Sequence, residues 1–113
     1  MSITEEELMA VHGVATDFEL GWIVGILEGE GTFDAVKKKY PRVRLEMTDK
    51  DSVERMGELL GITRAPRYRK RGDKKPTWTL SICGNQAKLL MLDVFPHMSE
   101  RRRSKIQEVK LYE

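Results

Sequence analysis

The stretch Asp17-Phe18-Glu19-Leu20-Gly21-Trp22-Ile23-Val24-Gly25-Ile26-Leu27-Glu28-Gly29-Glu30-Gly31-Thr32-Phe33 decides the fold. Thr16 or Asp17 can cap a helix running to about Glu28, and Gly29-Glu30-Gly31 stops it. Gly21, Gly25 and Gly29 recur at every fourth position, which on a helix is a single stripe. Each interior glycine costs roughly 1 kcal/mol of helix propensity relative to alanine, so an unspecialised helix would not carry three. Close backbone approach is the physical return. The stripe either lines one contact inside the protomer or faces an identical helix across a two-fold axis. In the second case the helix ends meet and Glu30 comes beside its symmetry mate. Two converging carboxylates repel unless a cation lies between them, and a hard divalent ion with oxygen ligands, such as Mg²⁺, meets that need. Beside a phosphate, such ions serve phosphodiester hydrolysis. A lone acid at a helix end is usually only solvated. Here a glycine flanks it on either side and a sheet with a basic face follows.

Working outward, Thr32 to Lys38 predicts a strand, Lys39-Tyr40-Pro41 a turn, and Arg42 to Thr48 a second strand. The second strand alternates: Val43, Leu45 and Met47 form an apolar row, and Arg42, Arg44 and Glu46 a charged one. Thr48 or Asp49 can cap a helix with apolar positions Val53, Met56, Leu59 and Leu60, ending at Gly61. A second hairpin follows, Arg67 to Arg71 and Thr77 to Ile82, with Trp78, Leu80 and Ile82 sharing one face. Residues 84–95 predict an apolar helix broken by Pro96, and Ser99 caps a last helix to about Leu111. The expectation is an α+β protein in the order α-β-β-α-β-β-α-α, with an antiparallel four-stranded sheet and helices on one face. Residues 1–16 read as an acidic lead-in and 17–113 as one domain.

The chain has 113 residues, 40% apolar and 34% charged, which suits one core. Its longest apolar run, Trp22 to Leu27, is far shorter than the roughly 20 residues of a membrane-spanning helix. One cysteine, Cys83, and two distant histidines, His12 and His97, offer neither an internal disulfide nor zinc-ligand spacing. The expectation is an intracellular protein, in the cytoplasm or nucleoid or in an organelle matrix, with no membrane partner. The net charge of +2 conceals an asymmetry, because residues 1–34 hold no Lys or Arg. The bases cluster around residues 37–44, 64–75 and 101–105, a pattern that suggests a polyanionic partner. A single charged run is usually a solvated face, but three of one sign weigh against that reading.

Residues Ile23 to Gly31, followed by Thr32 and Phe33, resemble the motif of the LAGLIDADG homing endonucleases in a Glu-Gly-Glu-Gly variant. The element order over residues 17–111 is similar to that family's fold, at a length suited to its single-motif, homodimeric branch. The resemblance implies a dimer interface on the motif helix, through Gly21, Trp22, Gly25, Ile26 and Gly29, and sheets that lie in the DNA major groove. It implies that Glu30 and the Gly29 carbonyl bind Mg²⁺, a site that Mn²⁺ or Ca²⁺ can occupy, and that Glu28 is structural. Aspartate is commoner at the position of Glu30. By position, Asp49 and Arg101 resemble residues that organise water near the scissile phosphate, although Asp49 could equally be a helix cap and Arg101 a phosphate clamp.

The pleat then suggests how a duplex would be read. A ribbon of two strands fits the major groove, where arginine pairs with guanine and glutamate accepts from cytosine. Asp34, Val36 and Lys38 are in phase on strand one, Arg42, Arg44 and Glu46 on strand two, Arg67, Arg69 and Arg71 on strand three, and Thr77 and Thr79 on strand four. Lys39, Lys70, Lys74 and Lys75 sit near turns and suit phosphates. The expected function is a homodimeric, Mg²⁺-dependent endonuclease acting on double-stranded DNA at a long pseudo-palindromic site, serving intron or intein mobility, with no small-molecule substrate. The alternatives are an inactive DNA-binding protein or an intron RNA maturase on the same fold, and a small basic adaptor that only dimerises.

Overall fold

The computed structural model describes residues 16–110; the acidic lead-in before Thr16 and the last three residues lie outside them. The elements are α1 (Asp17–Glu30), β1 (Gly31–Val36), β2 (Tyr40–Met47), α2 (Lys50–Leu59), β3 (Arg67–Arg69), β4 (Thr77–Cys83), α3 (Asn85–Val94), a 3₁₀ turn (Phe95–His97) and α4 (Glu100–Lys110). The order is the expected one. Thr16 caps α1: its hydroxyl accepts the Glu19 N–H at 3.1 Å and donates to the Glu19 carboxylate at 2.9 Å. That Thr-x-x-Glu pairing satisfies donors which a helix start leaves open.

Helix α1 runs two residues past the expected stop and passes into β1 without a loop. The Gly31 N–H closes on Leu27 O while Gly31 is already extended. A Cβ at Gly31 would lie 2.8 Å from Leu27 O and 2.9 Å from Leu27 Cδ2, so close approach demands glycine there. The backbone that carries Glu30 is thereby held at the edge of the sheet.

The strands pair antiparallel in the order β1-β2-β4-β3. Phe33, Val43, Leu45, Leu80 and Ile82 point to one face and are buried, as period-two alternation requires. Helices α1, α2, α3 and α4 all cover that face, contributing Ile23 and Leu27, Val53 and Met56, Leu90 and Met91, and Ile106 and Val109 to one core. Trp78 and Phe33 belong to this side, as their phase predicts.

Two boundaries move. The first hairpin turns at residues 37–39, with Lys37 and Lys38 at φ 55° and 56° and the Lys39 N–H on Val36 O at 3.0 Å. Two successive left-handed residues match the twist of a hairpin, a demand usually met by Asn or Gly. Lysines do not signal it, and Pro41, buried within β2, drew the expected turn too far along the chain. Lys38 is therefore a turn residue, out of the strand phase assigned to it. Likewise β3 is only three residues long, so Arg71 follows the strand instead of extending its row.

Candidate nucleic-acid interface and carboxylate site

The helices leave the other face of the sheet uncovered, and register places its side chains. Strand β4 presents Thr77, Thr79, Ser81 and Cys83 there. Each stands opposite an arginine: Thr77 opposite Arg69, Thr79 opposite Arg67, Ser81 opposite Arg44 and Cys83 opposite Arg42. Two arginines come from β3 on one side of β4 and two from β2 on the other. A cavity of about 390 Å³ opens between them, lined also by Arg64 from the loop after α2, whose guanidinium donates to Ser81 O. The Thr79 hydroxyl is buried and lacks a partner.

The acids of this face are already engaged. Asp34 accepts two bonds from Arg42, 2.8 Å from Nε and 2.6 Å from Nη2. That fork, with Arg44 and Lys105 adding positive charge, holds its carboxyl below the usual range. Glu46 accepts the Thr77 hydroxyl at 2.5 Å and Arg71 Nη1 at 3.1 Å, and its carboxyl is lowered first by that hydroxyl and then by the Arg71 charge. Arg44, Arg67 and Arg69 have no hydrogen bond or ion pair among the described residues. Lys39, Lys70, Lys74 and Lys75 are exposed at the hairpin ends, with Lys70 Nζ on Lys74 O. Val36 ends β1 on the same outward phase as Asp34.

At the end of α1 two glutamates have different fates. Glu28 accepts the Ser99 N–H at 2.6 Å and the Ser99 hydroxyl at 2.8 Å, tying the C-terminus of α1 to the start of α4. Those bonds, reinforced by the Arg102 and Arg101 charges, lower its pKa. Arg102 is the residue that turns inward: its Nε donates to Glu28 O at 3.0 Å and its Nη1 to Gly31 O, while the guanidinium lies 5.9 Å from the Phe33 ring centre. It thus grips the backbone on both sides of Gly29-Glu30. Arg101, which the motif pattern pointed to, is exposed. Arg102 was not singled out because three consecutive arginines on a helix give no indication of which one faces inward. Glu30 itself is exposed, at the same end of the sheet as the exit of β2. Asp49 follows that exit but makes no capping bond to the backbone; its carboxylate accepts the Ser52 hydroxyl at 2.6 Å.

No group of three potential metal ligands gathers among the described residues of one protomer. The donors at the end of α1 are nevertheless of the right kind for a hard cation. Gly31 N–H takes the Leu27 carbonyl and Arg102 takes that of Glu28, and the Gly29 and Glu30 carbonyls follow beside an exposed carboxylate. The negative end of the helix dipole adds to the attraction.

The glycine stripe is open. A Cβ at Gly21, Gly25 or Gly29 would meet nothing within 4 Å, so the stripe has no packing partner among the described residues. Phe18, 74% exposed, lies in line with it one turn earlier. Trp22 and Ile26 instead flank the stripe, half-buried against the core, with the Arg55 guanidinium 4.6 Å from the Trp22 ring centre. Among the described residues no helix is long and apolar enough to cross a membrane.

An α+β domain with a helical layer on one side and an uncovered, arginine-rich sheet on the other is thus the class in hand. Residues 17–94 match the model of the LAGLIDADG-like domain. The chain belongs to that family, with a single copy of the motif at Ile23 to Gly31. Two crystal structures of the homing endonuclease I-CvuI share the fold. One, in complex with its target in the presence of Ca, has a TM-score of 0.57 at 14% identity, over 82% of this chain and 66% of that one. The other, with the I-CreI target in the presence of Mg and the DNA not cleaved, has a TM-score of 0.57 at 15% identity, over 84% and 68%. This chain thus spans about two thirds of the length of either. No curated protein matches.

Proposed function

We propose that the protein is a homodimeric, divalent-metal-dependent endonuclease that cuts double-stranded DNA at a long pseudo-palindromic site. One observation carries the reading: a glycine stripe with nothing against it among the described residues runs along α1 and leads to an exposed Glu30 at the edge of an arginine-faced sheet. Two such helices packed stripe to stripe bring both Glu30 carboxylates together between two sheets. The sheets bind the two half-sites of a duplex, consistent with the DNA complexes of the I-CvuI structures.

In this mechanism the arginines and turn lysines bind and orient the duplex, and Arg102 and Gly31 fix the backbone that carries Glu30. Glu30, with the Gly29 carbonyl, would hold Mg²⁺ or a similar ion, whose Lewis acidity would be available to a water and to the leaving oxygen of a phosphate. Asp49 and the exposed Arg101 would order solvent near that phosphate. The test is cleavage of a randomised duplex library with Mg²⁺ by wild type and by Glu30→Gln, sequencing cut and bound molecules separately. Wild type is expected to cut one family of pseudo-palindromic sites and the variant only to bind it. Specific binding without cleavage by either protein refutes the enzyme and leaves a binding protein or maturase.

A further inference from the structure

Phe18 is the most exposed large apolar side chain among the described residues, at 74%. Its ring has no part in the start of α1, where Thr16 and Glu19 complete the cap between them. An aromatic ring carries one of the largest burial gains of any side chain, and here it is left in water. Close to it is a cavity of about 300 Å³, lined by Asp17, Leu20, Gly21 and Val24 of α1 and by His97 of the 3₁₀ turn. Phe18 of the same protomer does not line it.

The helical wheel relates the ring to the cavity. At about 100° per residue, Phe18 falls on the glycine stripe, about 20° to the Trp22 side of Gly25. Trp22 and Ile26 occupy that flank, and the cavity, with Leu20 and Val24, opens on the other. A two-fold axis running between two parallel helices exchanges the flanks, so the cavity side of one helix comes beside the Trp22 side of its mate. That is the side to which Phe18 leans. Backbones in contact at Gly21 and Gly25 leave no room for a ring on the stripe line itself, so the ring must step aside. The space that receives it there is the partner's cavity.

We infer that in the dimer Phe18 of each protomer seats in the cavity of the other, against Leu20, Gly21 and Val24 with His97 as a wall. The inference rests on the stripe-to-stripe dimer proposed above and adds what selects a second copy of this chain: each protomer supplies both a ring and the pocket for its partner's ring. The glycines permit close approach, and the two rings anchor the end of the interface remote from Glu30.

The experiment is sedimentation of the full-length chain in Ca²⁺, for wild type, Phe18→Ala, Leu20→Trp and a mixture of the two variants with one of them fluorescently labelled. Phe18→Ala removes a ring that is already exposed in the protomer, so it should melt like wild type at dilution and lose about 10- to 100-fold of dimer affinity for each of its two rings. Leu20→Trp fills the pocket and should also dimerise poorly; if it melts low, His97→Trp serves as the filler from the opposite wall. The mixture is decisive. In a heterodimer the ring of the Leu20→Trp chain meets the intact pocket of the Phe18→Ala chain, and the filled pocket faces only alanine. The heterodimer should therefore be tighter than either homodimer by about 10-fold or more, the worth of one buried ring. A wild-type dimer with Phe18→Ala of equal affinity, or two weak homodimers whose mixture is no tighter, overturns the inference and leaves the stripe dimer standing. A wild type that stays monomeric at every concentration overturns both.

Discussion

Gly25→Ala should have opposite effects on the protomer and on the dimer. In the protomer a Cβ at Gly25 meets nothing within 4 Å, so the methyl has no steric cost. Replacing an interior helical glycine by alanine gains about 1 kcal/mol of propensity, which in a domain of this size raises Tm by about 4–8 °C. In a dimer packed stripe to stripe the two added methyls face each other where the backbones should be closest. Overpacking costs about 1–3 kcal/mol per site, and the two-fold axis counts it twice, so affinity should fall by about 30-fold to 10⁴-fold. The assay pairs sedimentation equilibrium with thermal melts across a wide range of protein concentration. Wild type should melt higher as concentration rises, by mass action. Gly25→Ala should melt higher than the wild-type protomer at dilution yet lose most of the concentration dependence. A variant that melts higher at every concentration and sediments as a dimer of wild-type affinity would refute the stripe as the interface.

Three further outcomes follow from the geometry. Gly31→Ala brings a Cβ to 2.8 Å from Leu27 O, so it should cost about 1–3 kcal/mol in urea denaturation and impair cleavage more than binding, because the displaced junction carries Glu30. Arg102→Met leaves two backbone carbonyls without their donor; the expected loss is about 2–4 kcal/mol of stability, with target cleavage lost and target binding kept in a gel-shift assay, and a variant that cleaves at the wild-type rate would rule out its role in positioning Glu30. Asp34→Asn should lower stability at neutral pH, on the order of 1 kcal/mol for this partly exposed pair. The folded pKa of Asp34 is lowered, so the stability it adds is full above the unfolded value near 4 and lost as pH falls through the lower folded value. The gap between wild type and variant in urea midpoints should therefore close in acid, and a gap independent of pH would exclude the ion pair as its source.

The fold was legible where periodicity is strict. The alternation Arg42-Val43-Arg44-Leu45-Glu46-Met47 and its counterpart Thr77 to Ile82 set the two faces of the sheet, and burial follows them residue by residue. The glycine stripe was equally plain, because spacing of four on a helix has one geometric meaning; that it is bare among the described residues became visible only with the packing in place. The misplaced turn at residues 37–39 has a physical reason. Left-handed lysines are selected by hairpin twist rather than by their own propensity, and tertiary pairing overrides the local signal of Tyr40-Pro41. Long-range partners were beyond the sequence for a different reason. Nothing in the chain announces that Ser99 binds Glu28, that Glu46 is shared by Thr77 and Arg71, or that Arg64 reaches back to β4. A charged row read from the pleat overestimates what is available to a ligand until such pairs are subtracted.

The end of α1 shows how that subtraction isolates one group. Its last turn carries two glutamates and no base, although the helix dipole already makes that end negative. Left alone, the arrangement would be unfavourable in every term. Ser99, just before α4, and Arg102, within it, cancel half of it by binding the Glu28 carboxylate and its carbonyl. Glu30 receives no such partner among the described residues, and stripe packing would set it beside a second such carboxylate and a second negative helix end. A cation between the two carboxylates would relieve that repulsion, so in the proposed dimer cation binding and dimerisation are linked. Adding Mg²⁺ or Ca²⁺ should tighten the wild-type dimer in sedimentation at constant ionic strength. Glu30→Gln, which removes both charges, should dimerise at least as well without the ion and respond little to it. A wild-type dimer indifferent to divalent ions, with Glu30→Gln unchanged beside it, would show that the two carboxylates do not meet.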